Sequence, residues 1–345
     1  MINNLFQYAT SELSQDAFLC WLFSYAHVDS KVDPALRDCA LAMIKHFVPN
    51  LREKDNADIM VIDILRQHKA IDVLIELKED YVILIENKTN TSEHDNQLTR
   101  YLELAQQEYE GKEIIPIYYK TGFQGDYSRV QEAGYTVVDW SIIPGILSPY
   151  KDRITNAIFC DYLEEREDFL SAAQAYQNMP ISKWDWRQVN GFYDSIYRSG
   201  FYEKYNFYGG YGYVPNPSGG FDALWFFPDS ATKPYMGQSY ILYMQLEFRN
   251  AEMKICMKVE CGDKDPEQNI TPSELRNYLT YSLDESNQWV YRLEQYGFVK
   301  PARFGAGKTM TIGEYAASYD DVDTFMDAFM KAISAFHAYC AEVAI

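Results

Sequence analysis

The sequence predicts a mixed α/β (α+β) domain followed by a second, aromatic-rich α+β domain, and two observations lead to this prediction. Residues 11–28, 35–48 and 95–110 read as helices, whereas residues 59–85 form three short β-branched runs. Beyond Trp184 the composition shifts towards Tyr, Gly and Pro. We therefore predict two domains, over residues 1–180 and 181–345.

The predicted order in the first domain is α, β, β, β, α, β, β, which contains an αβββαβ core. Thr10 or Ser11 can cap the first helix. The polar turn 78–80 joins the second and third strands into an antiparallel hairpin. The predicted helices cover residues 11–28, 35–48 and 95–110, and the predicted strands cover residues 59–65, 71–77, 81–85, 114–119 and 135–138. A further helix over residues 152–178 either closes this domain or links it to the next.

The second domain is predicted to contain strands over 240–248 and 253–260 and helices over 272–297 and 319–343. Its aromatic stretch, residues 202–227, has rings that could stack on nucleic-acid bases. Few basic residues are interleaved, so a packed core or a protein interface is the favoured use. We also expect this domain to allow formation of a homo-oligomer.

Charge and cysteine content restrict the class of function. The chain has 31 Lys and Arg against 50 Asp and Glu, a net charge of −19. Non-specific duplex binding depends on phosphate neutralisation, so this balance argues against a long sequence-independent DNA footprint. No export signal, membrane span or CxxC pair is visible. These features predict a cytoplasmic protein without membrane contact, disulfides or a zinc site.

One apolar strand ends in charged residues. Positions 81–85 are apolar, and Glu86, Asn87 and Lys88 follow at once. Residues two apart in a strand share a face, so Glu86 and Lys88 should point one way and Asn87 the other. The hairpin brings Asp72 beside them. Two carboxylates near a lysine can hold a hard divalent ion, and the lysine can stabilise a hydroxide that attacks phosphorus.

The Glu-x-Lys triplet alone is weak evidence for a site, because it occurs four times in the chain. Glu76 and Lys78 form one copy, and Asp63 precedes them at nearly the same spacing as Asp72 precedes Glu86. That copy runs into the hairpin turn, where charges are expected to be solvated. Only the copy at Glu86 ends a fully apolar strand and leads to a helix. A solvated strand end and a functional site both remain open on this basis.

The next helix supplies polar partners, because Gln97 and Tyr101 stand one turn apart on one face. With these residues the pattern resembles the PD-(D/E)xK nuclease superfamily, most clearly a bacterial family of uncertain substrate. The resemblance covers residues 8–145 and rests on the segments SELSQDAFLCWLF, IDVLIE, VILIENK and QLTRY, the last similar to the QxxxY element of RecB-type nucleases. It implies a restriction-endonuclease-like core, although Ile71 stands where the family pattern has proline.

The resemblance also implies roles for individual residues. Lys88 would orient the nucleophilic water, and Gln97 and Tyr101 would position the nucleic-acid backbone or that water. Glu12 matches an acid on the family's first helix, but an acid in a first turn is also favourable for capping, so both explanations stay open. The implied ligands of Mg²⁺ (or Mn²⁺) are Asp72, Glu86 and the Asn87 carbonyl.

The resulting prediction is a Mg²⁺-dependent phosphodiesterase, a nuclease that hydrolyses nucleic acid. Its preference for DNA over RNA and a role in defence or DNA processing are implied by analogy with the superfamily. The second domain would govern substrate choice or assembly. The alternative is a non-catalytic nuclease-fold module that acts through protein partners, which the acidic balance supports and the intact residue pattern disfavours.

Overall fold

The computed structural model describes residues 3–30, 33–216, 219–228, 232–235, 238–262, 270–305 and 307–343. The chain forms two compact units, residues 1–172 and 173–345. Within the described ranges, no helix is both long enough and apolar enough to cross a membrane.

The first unit is built on a five-stranded mixed sheet with the order β1-β2-β3-β4-β5. Its strands are β1 Val61–His68, β2 Ile71–Leu77, β3 Tyr81–Lys88, β4 Glu113–Lys120 and β5 Thr136–Asp139. β1, β2 and β3 are antiparallel neighbours, whereas β3, β4 and β5 run parallel. The parallel step requires a crossover, and the helix between β3 and β4 provides it. The predicted mixed α+β class is confirmed.

Helices cover both faces of this sheet. They are α1 Glu12–Ser24, α2 Pro34–Phe47, α3 Gln97–Glu108, α4 Ser128–Glu132, α5 Ile143–Leu147 and α6 Ala157–Gln174. Ser11 caps α1 by accepting a hydrogen bond from the backbone of Ser14. Ile83 and Ile85 of β3 pack into the core with α1 and α2, whereas Val82 and Leu84 pack into the core with α3. Strict alternation along β3 therefore places two helical layers on opposite sides of one strand.

The second unit contains an eight-stranded sheet and helices α7 Trp186–Arg198, α8 Phe201–Lys204, α9 Pro272–Thr280 and α10 Val322–Glu342. The strands are β6 Phe207–Tyr208, β7 Tyr211–Val214, β8 Phe221–Pro228, β9 Thr232–Tyr235, β10 Gln238–Arg249, β11 Glu252–Cys261, β12 Tyr281–Leu283, β13 Trp289–Tyr291, β14 Phe298–Val299 and β15 Thr309–Tyr315. β12 and β13 form a separate hairpin. Phe226 of β8 packs on Phe329 of α10, with 5.0 Å between ring centroids. Much of the aromatic stretch is therefore core, as its scarcity of basic residues indicates.

The predicted helix over 272–297 is wrong. α9 ends at Thr280, and the backbone is extended at Tyr281. Asp284 then closes a turn, because its carboxylate accepts hydrogen bonds from the backbone N–H groups of Ser286 (2.9 Å) and Gln288 (2.8 Å). Asp and Asn side chains offer the backbone such local partners in competition with a helix. The helical spacing of apolar residues was therefore outweighed by turn chemistry.

Candidate functional site

The charged end of β3 projects to both faces of the sheet. The Oε1 atom of Glu86 accepts hydrogen bonds from Lys88 Nζ and, over 2.8 Å, from Gln97 Nε2 on α3. Asn87 points the other way, and its Nδ2 donates to Asp16 Oδ1 and to the Glu12 carbonyl on α1, each over 2.9 Å. Alternation along the strand thus divides the triplet between α3 and α1, as expected from its spacing.

Asp72 lies beside this strand end across the hairpin. β2 and β3 pair with Val73 opposite Ile85, so the next position of the same register sets Asp72 against Glu86. The Oδ2 atom of Asp72 accepts a hydrogen bond of 2.9 Å from the backbone N–H of Asn87. The structure therefore brings Asp72 next to Glu86 and Lys88.

Burial and neighbouring charge alter the acid–base properties of the pair. The Glu86 side chain is fully buried, and burial followed by the negative charge of Asp72 raises its pKa to about 8 although Lys88 opposes the rise. Burial lowers the pKa of Lys88, but the carboxylates of Glu86, Asp72 and Glu12 together outweigh burial and raise it. The cluster contains more carboxyl groups than one lysine can neutralise, which favours the binding of an additional cation.

Gln97 and Tyr101 face this cluster from the first turns of α3. Gln97 Nε2 reaches Glu86 Oε1 over 2.8 Å and the Tyr101 hydroxyl over 3.1 Å. Tyr101 is buried in the core beneath α3. The two side chains predicted from their helical spacing therefore lie in one hydrogen-bonded group with the acid on β3.

Glu12 is engaged by the loop that follows β3. Its Oε1 accepts hydrogen bonds from Thr89 N (3.1 Å) and from the Thr91 hydroxyl (2.7 Å). The same loop approaches the end of β4, where a Cβ atom on Gly122 would lie 2.4 Å from the Thr89 carbonyl oxygen. Glycine permits this close approach. In the structure the Glu12 carboxylate holds this loop.

Sequence reasoning did not identify three residues at the site. Asp16 is fully buried one turn after Glu12, and burial followed by Asp72 raises its pKa to about 6. Lys120 is opposite Lys88 in the register of β3 and β4, and its Nζ donates to the Thr91 carbonyl over 2.5 Å. Gln67 on β1 contacts both Asp16 and Asp72. Helical spacing from Glu12 could have indicated Asp16, whereas the other two depend on strand register.

The donor set fits a hard divalent cation in one respect. Among the described residues, the buried Oε2 atom of Glu86 finds no hydrogen-bond partner. An unpartnered buried carboxylate oxygen is costly, and a cation bound there would remove that cost. Across the described ranges, no cluster of three or more His, Cys, Asp and Glu side chains is arranged to hold a metal ion. A metal here would thus depend on two carboxylates and backbone oxygen.

The comparisons with known proteins bear on this first unit. A sequence profile of the PD-(D/E)XK nuclease superfamily matches residues 3–171, which include every residue of the site described above. The comparison with curated proteins gave no match, and the comparison with solved structures gave none either. The match covers α1 to α5 completely and most of α6, and it ends one residue before the first compact unit ends.

Proposed function

We propose that this chain, whose residues 3–171 belong to the PD-(D/E)XK nuclease superfamily and adopt its restriction-endonuclease-like fold, is a metal-dependent nuclease that hydrolyses phosphodiester bonds. The proposal rests chiefly on one observation. Glu86 is fully buried beside Asp72 and Lys88, and one of its carboxylate oxygens has no hydrogen-bond partner in the described part of the chain. A solvated strand end would leave neither the acid nor the lysine buried.

Each side chain has a distinct part in this proposal. Asp72, Glu86 and the Asn87 carbonyl would hold a Mg²⁺ or Mn²⁺ ion, which would supply Lewis-acid polarisation of the phosphate. Lys88 forms an ion pair with Glu86, and its positive charge would lower the cost of a hydroxide near the phosphate.

The residues on the two helices support this group. Gln97 orients the Glu86 carboxylate through its 2.8 Å hydrogen bond, and Tyr101 fixes the Gln97 amide. The QxxxY likeness assigns both residues to contacts with the nucleic-acid backbone or the water. Glu12 acts on the site by ordering the loop after β3.

The substrate and setting are proposed from the superfamily, the cysteines and the charge. DNA is preferred over RNA by analogy with the superfamily alone, as is a role in defence or DNA processing. All six cysteines are free thiols, which supports a cytoplasmic location. The net charge of −19 favours a short contact with nucleic acid over a long non-specific footprint.

The test is cleavage of labelled single- and double-stranded DNA and RNA with Mg²⁺, with Mn²⁺ and with EDTA. We expect wild-type protein to cut at least one substrate only when the metal is present, and Asp72→Ala to abolish this activity. Unchanged cleavage by the Asp72→Ala variant, or cleavage in EDTA, would contradict the proposal. No cleavage of any substrate would favour the non-catalytic binding module.

A further inference from the structure

Four residues around the end of β3 form a closed ring of hydrogen bonds. Gln67 Nε2 donates to Asp16 Oδ2 over 3.1 Å and to Asp72 Oδ1 over 3.0 Å. Asn87 closes the ring, since its Nδ2 donates to Asp16 Oδ1 and its backbone N–H donates to Asp72 Oδ2, each over 2.9 Å. Both oxygens of each aspartate thus accept a hydrogen bond. A carboxylate oxygen keeps a further lone pair, so Asp72 can still bind a cation.

Gln67 occupies its place in the ring with an unusual backbone. It lies inside β1 with φ of +54°, a conformation that non-glycine residues rarely adopt. The residue is exposed, so core packing does not hold its side chain in place. Its direction is set by the backbone conformation and by the two aspartates. Backbone strain of this kind persists where the surrounding structure requires it, and it clusters at functional sites.

We infer that Gln67, anchored on Asp16, is a positioning residue that fixes the Asp72 carboxylate in the orientation in which it binds the divalent ion. This inference rests on the proposed function, because it requires that Asp72 is a metal ligand. Gln67 supplies the only neutral donor that reaches Asp72 from β1 among the hydrogen bonds of the described residues. Asp16 acts through Gln67 and Asn87, and it contacts neither Glu86 nor Lys88 in those bonds.

The turn between β1 and β2 offers a matched control. Lys69 and Ala70 also have positive φ values, of 52° and 69°. Ala70 lies in the β1–β2 hairpin, as Gln67 does, but it does not belong to the hydrogen-bonded ring. Ala70→Gly therefore relieves a similar backbone strain without removing a hydrogen bond to Asp72. If backbone conformation were the whole role of Gln67, Gln67→Gly and Ala70→Gly would behave alike.

The experiment measures Mn²⁺ affinity of the full chain by electron paramagnetic resonance, and melting temperature without metal. We expect Gln67→Gly to weaken Mn²⁺ binding by about tenfold, the lower end for loss of a ligand's hydrogen-bond partner. Its melting temperature should stay within about 4 °C of wild type, because relief of strain offsets the lost hydrogen bonds. Gln67→Met keeps the side-chain length, removes the donor and should weaken binding similarly. Ala70→Gly should bind Mn²⁺ as wild type does.

Three results would overturn the inference. Wild-type affinity in both Gln67→Gly and Gln67→Met would show that the amide does not position a ligand. Equal weakening in Ala70→Gly would assign the effect to the hairpin backbone. Absence of Mn²⁺ binding by the wild type would remove the inference together with the proposed function, whereas the first two results leave that function intact.

Discussion

The two ends of the β2–β3 hairpin carry the same Glu-x-Lys triplet in different environments. Glu76, near the turn, is partly exposed and pairs over 2.7 Å with Lys112. Glu86, at the far end, is fully buried and contacts Lys88 and Gln97. The sequence spacing is the same, so the difference comes from what packs above each strand end.

The comparison shows that α3 determines the environment of the Glu86 triplet. Its first residue, Gln97, lies over Glu86 and excludes solvent there together with Tyr101. Asp63, the upstream acid that imitates Asp72 in spacing, is exposed and accepts a hydrogen bond from its neighbour Ile64. The same Glu-x-Lys triplet therefore yields a partly exposed ion pair at one end and a buried cluster at the other.

The largest expected difference is between the two lysines. Lys88→Ala should reduce metal-dependent cleavage by about 10²–10⁴-fold, the range for loss of a group that assists proton transfer. Lys78→Ala should leave the rate unchanged, because Lys78 lies in the exposed turn. Initial rates on one labelled substrate measure both. Equal rates for the two variants would remove the functional distinction between the triplets.

The two glutamates should differ in metal-dependent stability. With Mn²⁺ at 100 times its dissociation constant, a ligand that binds only the folded state adds about 2.7 kcal/mol to the free energy of unfolding. We expect Glu76→Gln to keep this stabilisation and Glu86→Gln to lose most of it. Urea unfolding with Mn²⁺ and with EDTA measures the gain. A full gain in Glu86→Gln would exclude Glu86 as a ligand.

A smaller effect should separate the lysines that accompany each triplet. Burial, reinforced by the charge of Lys88, lowers the pKa of Lys120 to about 8, although Glu12 and Glu93 oppose this shift. Between pH 8 and 10 the unfolded chain keeps a proton that folded Lys120 releases, so this residue makes stability rise with pH. Relative to Lys120→Met, wild-type stability should rise by up to about 1.4 kcal/mol per pH unit in that window.

Urea unfolding at pH 7, 8.5 and 9.5 measures this slope. Below pH 8 both states of the wild type hold the proton, so the difference from Lys120→Met should be constant there. Lys112→Met is the matched control, since Lys112 accompanies the Glu76 triplet as a partly exposed ion-pair partner. If stability changes with pH in the same way for wild type and Lys120→Met, the folded structure does not disfavour the charged form of Lys120.

Short-range patterns sufficed for the sheet of the first unit and for part of the site. Apolar runs and the turn at 78–80 located β2 and β3, and alternation along β3 separated Glu86 from Asn87. Helical spacing indicated that Gln97 and Tyr101 would share a face. These features depend on periods of two and 3.6 residues, which a single sequence displays directly.

Other features depend on contacts between distant segments or on local turn chemistry. Gln67 reaches Asp16 across 51 positions of the chain, and no local pattern encodes that contact. The positive φ of Gln67 would be expected of glycine or asparagine rather than glutamine. α7 was not predicted, although Asp185 and Gln188 form a capping box that marks its start.

The alternation of β3 has a mechanical consequence. The backbone of residues 86–88 connects the contacts of Glu86 with α3 to the contacts of Asn87 with α1, because Glu86 and Asn87 are consecutive. A displacement of one peptide plane would change the α3-facing and the α1-facing contacts at once. The end of β3 therefore couples the positions of α1 and α3, which cannot shift independently while both sets of hydrogen bonds hold.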